Sequence, residues 1–88
     1  MTETATQIDK CSECHAEIMI DCAWEAGGMN DYGGFIVQCR TCNAVQDIYV
    51  GRDILMSRVR SGAILLERYD RDVEGDRERK RKKHGLDG

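Results

Sequence analysis

The sequence has no proline, one Phe, one Trp and two His. It also lacks any apolar run approaching 18 residues, so no segment is expected to cross a bilayer as a helix. The opening MTETATQIDK has no basic stretch followed by an apolar core and does not read as a secretory signal. There is no His-Glu-x2-His and no supported Ser–His–acid set, which leaves hydrolytic chemistry without its usual parts. Gly27-Gly28 and Gly33-Gly34 lack the lysine and the strand-to-helix setting of a phosphate loop. At 88 residues there is no room for a dinucleotide-binding unit plus a substrate domain, nor for an enzyme barrel. A chain this short buries roughly 60% of its unfolded surface, so its core is marginal unless something crosslinks it.

What the chain does have is charge and cysteine. The formal net charge is −3, unevenly spread: residues 1–66 hold nine acids and five bases, and residues 67–88 hold seven acids and eight bases. In the second part Arg79, Lys80, Arg81, Lys82 and Lys83 form an unbroken basic block. Such a block attracts phosphate backbones or anionic surfaces. The plainer reading is a solvated end, with Asp70, Asp72, Glu74, Asp76 and Glu78 just upstream cancelling part of its field.

Four of the five cysteines fall in two pairs, Cys11-Ser12-Glu13-Cys14 and Cys39-Arg40-Thr41-Cys42, separated by 24 residues. A Cys-x2-Cys turn delivers two thiolates from one chain reversal, and tetrahedral zinc takes four at about 2.3 Å. Backbone amides that follow each turn can point at the sulfurs and spread their charge. His15 and Asn43 stand after the second Cys of each pair, and both residue types enter the left-handed region more readily than most. One Zn2+ held by Cys11, Cys14, Cys39 and Cys42 is therefore expected. Iron, as an iron–sulfur cluster or iron–thiolate centre, uses the same ligands. Thioredoxin-like redox chemistry would need a larger α/β domain, and two disulfides would need an oxidising location. Four thiolates close the coordination sphere, so the site reads as structural and no catalytic residue is expected. Cys22 reads as a small buried hydrophobe, His15 as a conformational residue rather than a ligand, and His84 as part of the charged tail.

Residues 1–9 read as a flexible polar arm and 10–50 as a small zinc-stabilised β unit. Alternation of Ile18, Ile20, Cys22 and Trp24 predicts a strand over 16–24, and four glycines in 25–34 predict a loop. Strands 35–38 and 44–50 would complete a three-stranded antiparallel sheet pinned at one end by zinc. Residues 51–69 read as an amphipathic docking segment. Asp53 is placed to cap a helix over 53–60, which either continues to Tyr69 or gives way at Ser61-Gly62 to a short strand over 63–68. The charged tail, 70–88, is read as helical or disordered.

At its cysteine pairs the chain resembles the zinc ribbon superfamily, over about residues 10–50, and is distantly similar to small transcription elongation zinc ribbons. The resemblance implies that Cys11, Cys14, Cys39 and Cys42 are the metal ligands. The chain departs from the Cys-Pro-x-Cys-Gly form of many ribbons, carrying Ser12 and Glu13 in the first turn and His15 after it.

Two functions are weighed. In the first, a noncatalytic structural zinc ribbon in the cytoplasm docks onto a larger protein or nucleoprotein complex, or onto a second copy as a homodimer. Trp24, Tyr32, Phe35, Leu55, Val59, Leu66 and Tyr69 then present the contact surface. In the second, the module binds nucleic acid, as a transcription factor would, through the hairpin aromatics and Arg79, Lys80, Arg81, Lys82 and Lys83. The net −4 of residues 1–66 opposes the second.

Overall fold

A computed structural model of the chain describes residues 2–25, 33–50 and 53–86. Six strands and one helix follow in order: β1 (Thr2–Lys10), β2 (Glu17–Glu25), β3 (Gly33–Cys39), β4 (Val45–Val50), β5 (Asp53–Ser61), β6 (Ala63–Asp70) and α1 (Asp76–Lys83). The strands form two three-stranded antiparallel sheets, ordered β1-β2-β5 and β4-β3-β6.

The expected strands over 16–24, 35–38 and 44–50 are present, but they do not share one sheet. β2 and β3 are each the centre of a separate sheet. The segment read as a flexible arm is β1, paired with β2 from Thr2↔Glu25 to Lys10↔Glu17. The predicted helix over 53–60 is β5, with β6 following the turn at Gly62. Alternation explains this: Ser57 is buried and Val59 packs on the core, while Arg58 and Arg60 face solvent. A period of two suits a strand and not a helix. Gly62 has φ 88°, and a Cβ there would overlap the Glu17 carbonyl oxygen of β2. Only glycine meets both demands, so the chain reverses at this position.

Alternate residues of the two sheets build one core. Ile18, Ile20 and Cys22 of β2 meet Phe35 and Val37 of β3 and Ile48 and Val50 of β4, with Val59 and Leu65 alongside. The far face of the second sheet is covered by α1. A row of paired residues runs across that face, Asp47 and Glu67 flanking Ile36, and a second row places Tyr49 and Tyr69 beside Gly34. The Tyr69 ring lies across Gly34, where a Cβ would collide with it. Ile36 and Tyr69 are almost fully buried there, although α1 itself contains no apolar residue. Both its acids lie in the first turn and four of its six bases in the last, as the helix dipole favours. Specific ion pairs, described below, hold it down.

Candidate metal centre

Each Cys-x2-Cys pair occupies the turn of a β-hairpin, β1–β2 and β3–β4, and the two turns repeat one another position for position. Cys11 N donates to Ala16 O (2.9 Å) and His15 N to Cys11 O (3.0 Å). In the second turn Cys39 N donates to Ala44 O (2.8 Å) and Asn43 N to Cys39 O (2.9 Å). His15 and Asn43 take φ of 63° and 65°, the left-handed conformation anticipated for both. The knuckle turns aim backbone N–H groups inward: Glu13 N lies 3.4 Å from Cys11 Sγ, and Thr41 N lies 3.4 Å from Cys39 Sγ.

The two hairpins bring the four sulfurs together. Cys11 Sγ is 3.4 Å from Cys42 Sγ, and Cys14 Sγ is 3.6 Å from Cys39 Sγ. All four lie within 4.8 Å of one another. Four ligands at about 2.3 Å in a tetrahedron stand about 3.8 Å apart, so the cluster is close to the size a metal ion needs. Cys11 and Cys39 are fully buried, Cys14 and Cys42 face outward, and all are free thiols.

The electrostatics divide the set. N–H groups of Cys42 and Thr41 lower Cys39 to about 6, and those of Cys14 and Glu13 lower Cys11. The Ala44 N–H favours the Cys42 thiolate, but its contact with Cys11, burial and the remaining sulfurs outweigh that and push it up to about 12. At Cys14 the Ala16 N–H is likewise overcome by burial and by the neighbouring thiols, with a net rise. Four thiolates so close repel one another, and a bound dication removes that conflict.

Side chains tie the hairpins to each other. Gln46 Nε2 donates to Lys10 O (3.2 Å), while its Oε1 accepts from Ser12 N (3.0 Å). Gln7 Nε2 donates to Tyr49 O (2.9 Å). Arg40 N donates to Gly62 O (3.1 Å), so the β5–β6 turn abuts the second knuckle. Cys22 is buried, as expected, and its Sγ lies 3.5 Å from Gln7 Oε1. Neither glutamine carried a signal in the sequence, because each acts across hairpins that only the fold brings together.

The residues expected to meet a partner are dispersed. Phe35 and Tyr69 are buried, Val59 and Leu66 are half-buried, and Leu55 is 81% exposed. Trp24 stands on β2 opposite Glu3, with its side chain outside the described residues, as is Tyr32 altogether. Within the basic block Lys80 and Arg81 turn toward the protein, whereas Arg79, Lys82 and Lys83 are exposed. Arg79 and Lys80 pair with Asp76, and Lys80 Nζ also donates to Arg68 O (2.6 Å). Lys83 and His84 reach Glu67 at 3.3 and 3.0 Å, and Lys82 is exposed.

Asp47 is the residue that sequence reasoning missed. Its side chain is 4% exposed and accepts from Arg77 Nε (2.8 Å), Arg81 Nη1 (2.7 Å) and the Tyr69 hydroxyl (2.6 Å). Arg77 also lies over the Tyr49 ring, 4.9 Å from its centroid. Burial, and then Asp47, raises the Tyr69 hydroxyl pKa far above its usual value.

The cluster has the make-up of a structural, zinc-ribbon-like site rather than a catalytic one. No helix among the described residues is long and apolar enough to cross a membrane. Comparison with protein-family models, with curated proteins and with solved structures gave no match.

Proposed function

We propose that the chain is a noncatalytic zinc module that docks, as a small accessory or regulatory subunit, onto a larger protein or nucleoprotein assembly. The observation that carries this reading is the convergence of Cys11, Cys14, Cys39 and Cys42 from two separate hairpins within 4.8 Å. Cys11 and Cys14 would hold the ion from the first sheet, and Cys39 and Cys42 from the second. Bound there, Zn2+ supplies a crosslink and charge neutralisation. The backbone N–H groups of both knuckles orient the sulfurs, and Gln46 keeps the turns in register. A reducing compartment such as the cytoplasm keeps the thiols available.

Docking is favoured over nucleic-acid binding by the use already made of the basic block. Lys80 and Arg81, the less exposed members, meet Asp76 and Asp47 of this chain, which lowers what these two can offer to phosphates. Metal analysis of purified protein should give one zinc per chain and no iron absorption bands; iron in place of zinc would overturn the metal assignment. Pulldown from the native cell lysate, with and without nuclease, should recover the same partner under both conditions. A partner lost entirely on nuclease treatment would transfer the function to nucleic-acid binding.

A further inference from the structure

In its first half β5 bulges away from β2. Asp21 pairs with Arg58 and Ala23 with Asp53, so Cys22 alone faces the stretch 54–57. The bulge turns Ile54 toward the core and buries Ser57, but throws Leu55 and Met56 outward, 81% and 62% exposed. A cavity of ≈240 Å³ opens beside it, lined by Leu55, Met56, Ser57, Arg58 and, from β6, Arg68. It lies where the two strands of the β5–β6 hairpin belong to different sheets.

The two arginines differ from those of α1. Arg77, Arg79 and Arg81 each meet a carboxylate, whereas Arg58 and Arg68 have no ion pair among the described residues. Asp21, which faces Arg58 across β2–β5, accepts instead from the Thr6 hydroxyl (3.1 Å) and pairs with Arg60 (4.0 Å). Arg68 is held against the Phe35 ring, its guanidinium carbon 5.6 Å from the centroid, a contact that orients a cation without neutralising it.

We propose that this cleft binds an extended acidic segment of a partner protein. A carboxylate would be taken by Arg58 and Arg68, and a neighbouring aliphatic side chain would rest on Leu55 and Met56. Charge complementarity carries the choice. Guanidinium groups pair bidentately with carboxylates, and these two stand beside apolar surface that a soluble chain otherwise covers. Among the described residues the ring beside the cleft is Phe35, fully buried with Arg68 over it, so that ring offers no free face for a nucleobase to stack on. The inference rests on the docking function and specifies the chemistry of the partner.

The test is an NMR titration of the zinc-loaded full chain with a blocked peptide of alternating Glu and Leu, beside its Gln–Leu counterpart. The acidic peptide should shift the Leu55 and Met56 methyl signals and the side-chain signals of Arg58 and Arg68. It should bind at least tenfold more tightly than the neutral one. The double variant Arg58→Gln, Arg68→Gln should lose that preference while keeping its zinc content and melting temperature. Equal binding of the two peptides, shifts confined to other strands, or stronger perturbation of the same signals by a single-stranded oligonucleotide would each overturn the cleft. In that event, recovery of the same partner by wild type and double variant would leave docking intact and remove only this site. Recovery by neither would remove docking itself.

Discussion

Cys39 shows how much rests on one side chain. It is fully buried and meets backbone N–H groups of its own knuckle, so Cys39→Ser replaces a thiolate by a hydroxyl that cannot complete a four-sulfur site. We expect loss of zinc and of dispersed amide signals together, read by metal analysis and by NMR; a variant that stays folded would count against a structural metal. The unequal thiols have a consequence for pH. In the folded arrangement backbone N–H groups favour the Cys39 thiolate, lowered to about 6, while its contact with Cys11, burial and the other sulfurs push Cys42 up to about 12. Zinc binding to a metal-free chain that has lost this arrangement, and whose thiols are then mostly protonated near neutral pH, should expel protons as the four thiolates form, so affinity falls as pH falls. Calorimetric titrations in buffers of different ionisation heat measure that release. Gly62 is equally singular, with φ 88° and no space for a Cβ. Gly62→Ala should cost at least about 1–3 kcal/mol in denaturant unfolding of the zinc-loaded chain, with little change in the zinc bound by the remaining folded fraction.

Among the elements, the helix and the first strand were the least legible in sequence. α1 is polar all round, and a helix of that kind lasts only if something specific holds it. Asp47, buried beneath it, is what does so. Asp47→Ala should remove the carboxylate that Arg77 and Arg81 share and loosen α1 on the sheet. The expected loss is on the order of 2 kcal/mol, less than for a fully buried pair because the Arg77 side chain is 43% exposed. Hydrogen exchange of residues 76–83 should then rise well above that of β3. Acid should loosen the same helix at its other end. Hydrogen bonds from His84 and Lys83 hold the Glu67 carboxyl below its ordinary 4.5. That contribution is fully present above the ordinary value and disappears as pH falls through the lowered one. Amide signals of α1 should broaden on acidification before those of β1, which has no part in the pair. β1 escaped sequence reading for a related reason. Its apolar Ile8 points to solvent, while Gln7, opposite Ile20, faces the core side and is satisfied by Tyr49 O and Cys22. In β5, the run Ile54-Leu55-Met56 suggested a helix because a bulge lets consecutive apolar residues face opposite ways, which no fixed period anticipates.

For the whole molecule, the four-cysteine cluster joins two sheets that otherwise meet through one small core and a few glutamine bridges. A structural zinc site contributes on the order of 10 kcal/mol of apparent folding free energy, more than a domain this short ordinarily retains. Chelation should accordingly abolish cooperative unfolding and both sheets together, seen as loss of the β circular-dichroism signal. A sheet that persisted alone would show that its core suffices. The sequence by itself determined the four-cysteine cluster, the left-handed residues behind each knuckle and the strands β2, β3 and β4, because these depend on residue type and on contacts within a few positions. Tertiary structure alone decided that β2 and β3 belong to different sheets, that 2–10 is a strand, and that Arg77 and Arg81 lie on Asp47. Each of those outcomes depends on partners distant in the chain, whose pairing is settled by how two hairpins pack and not by any local pattern.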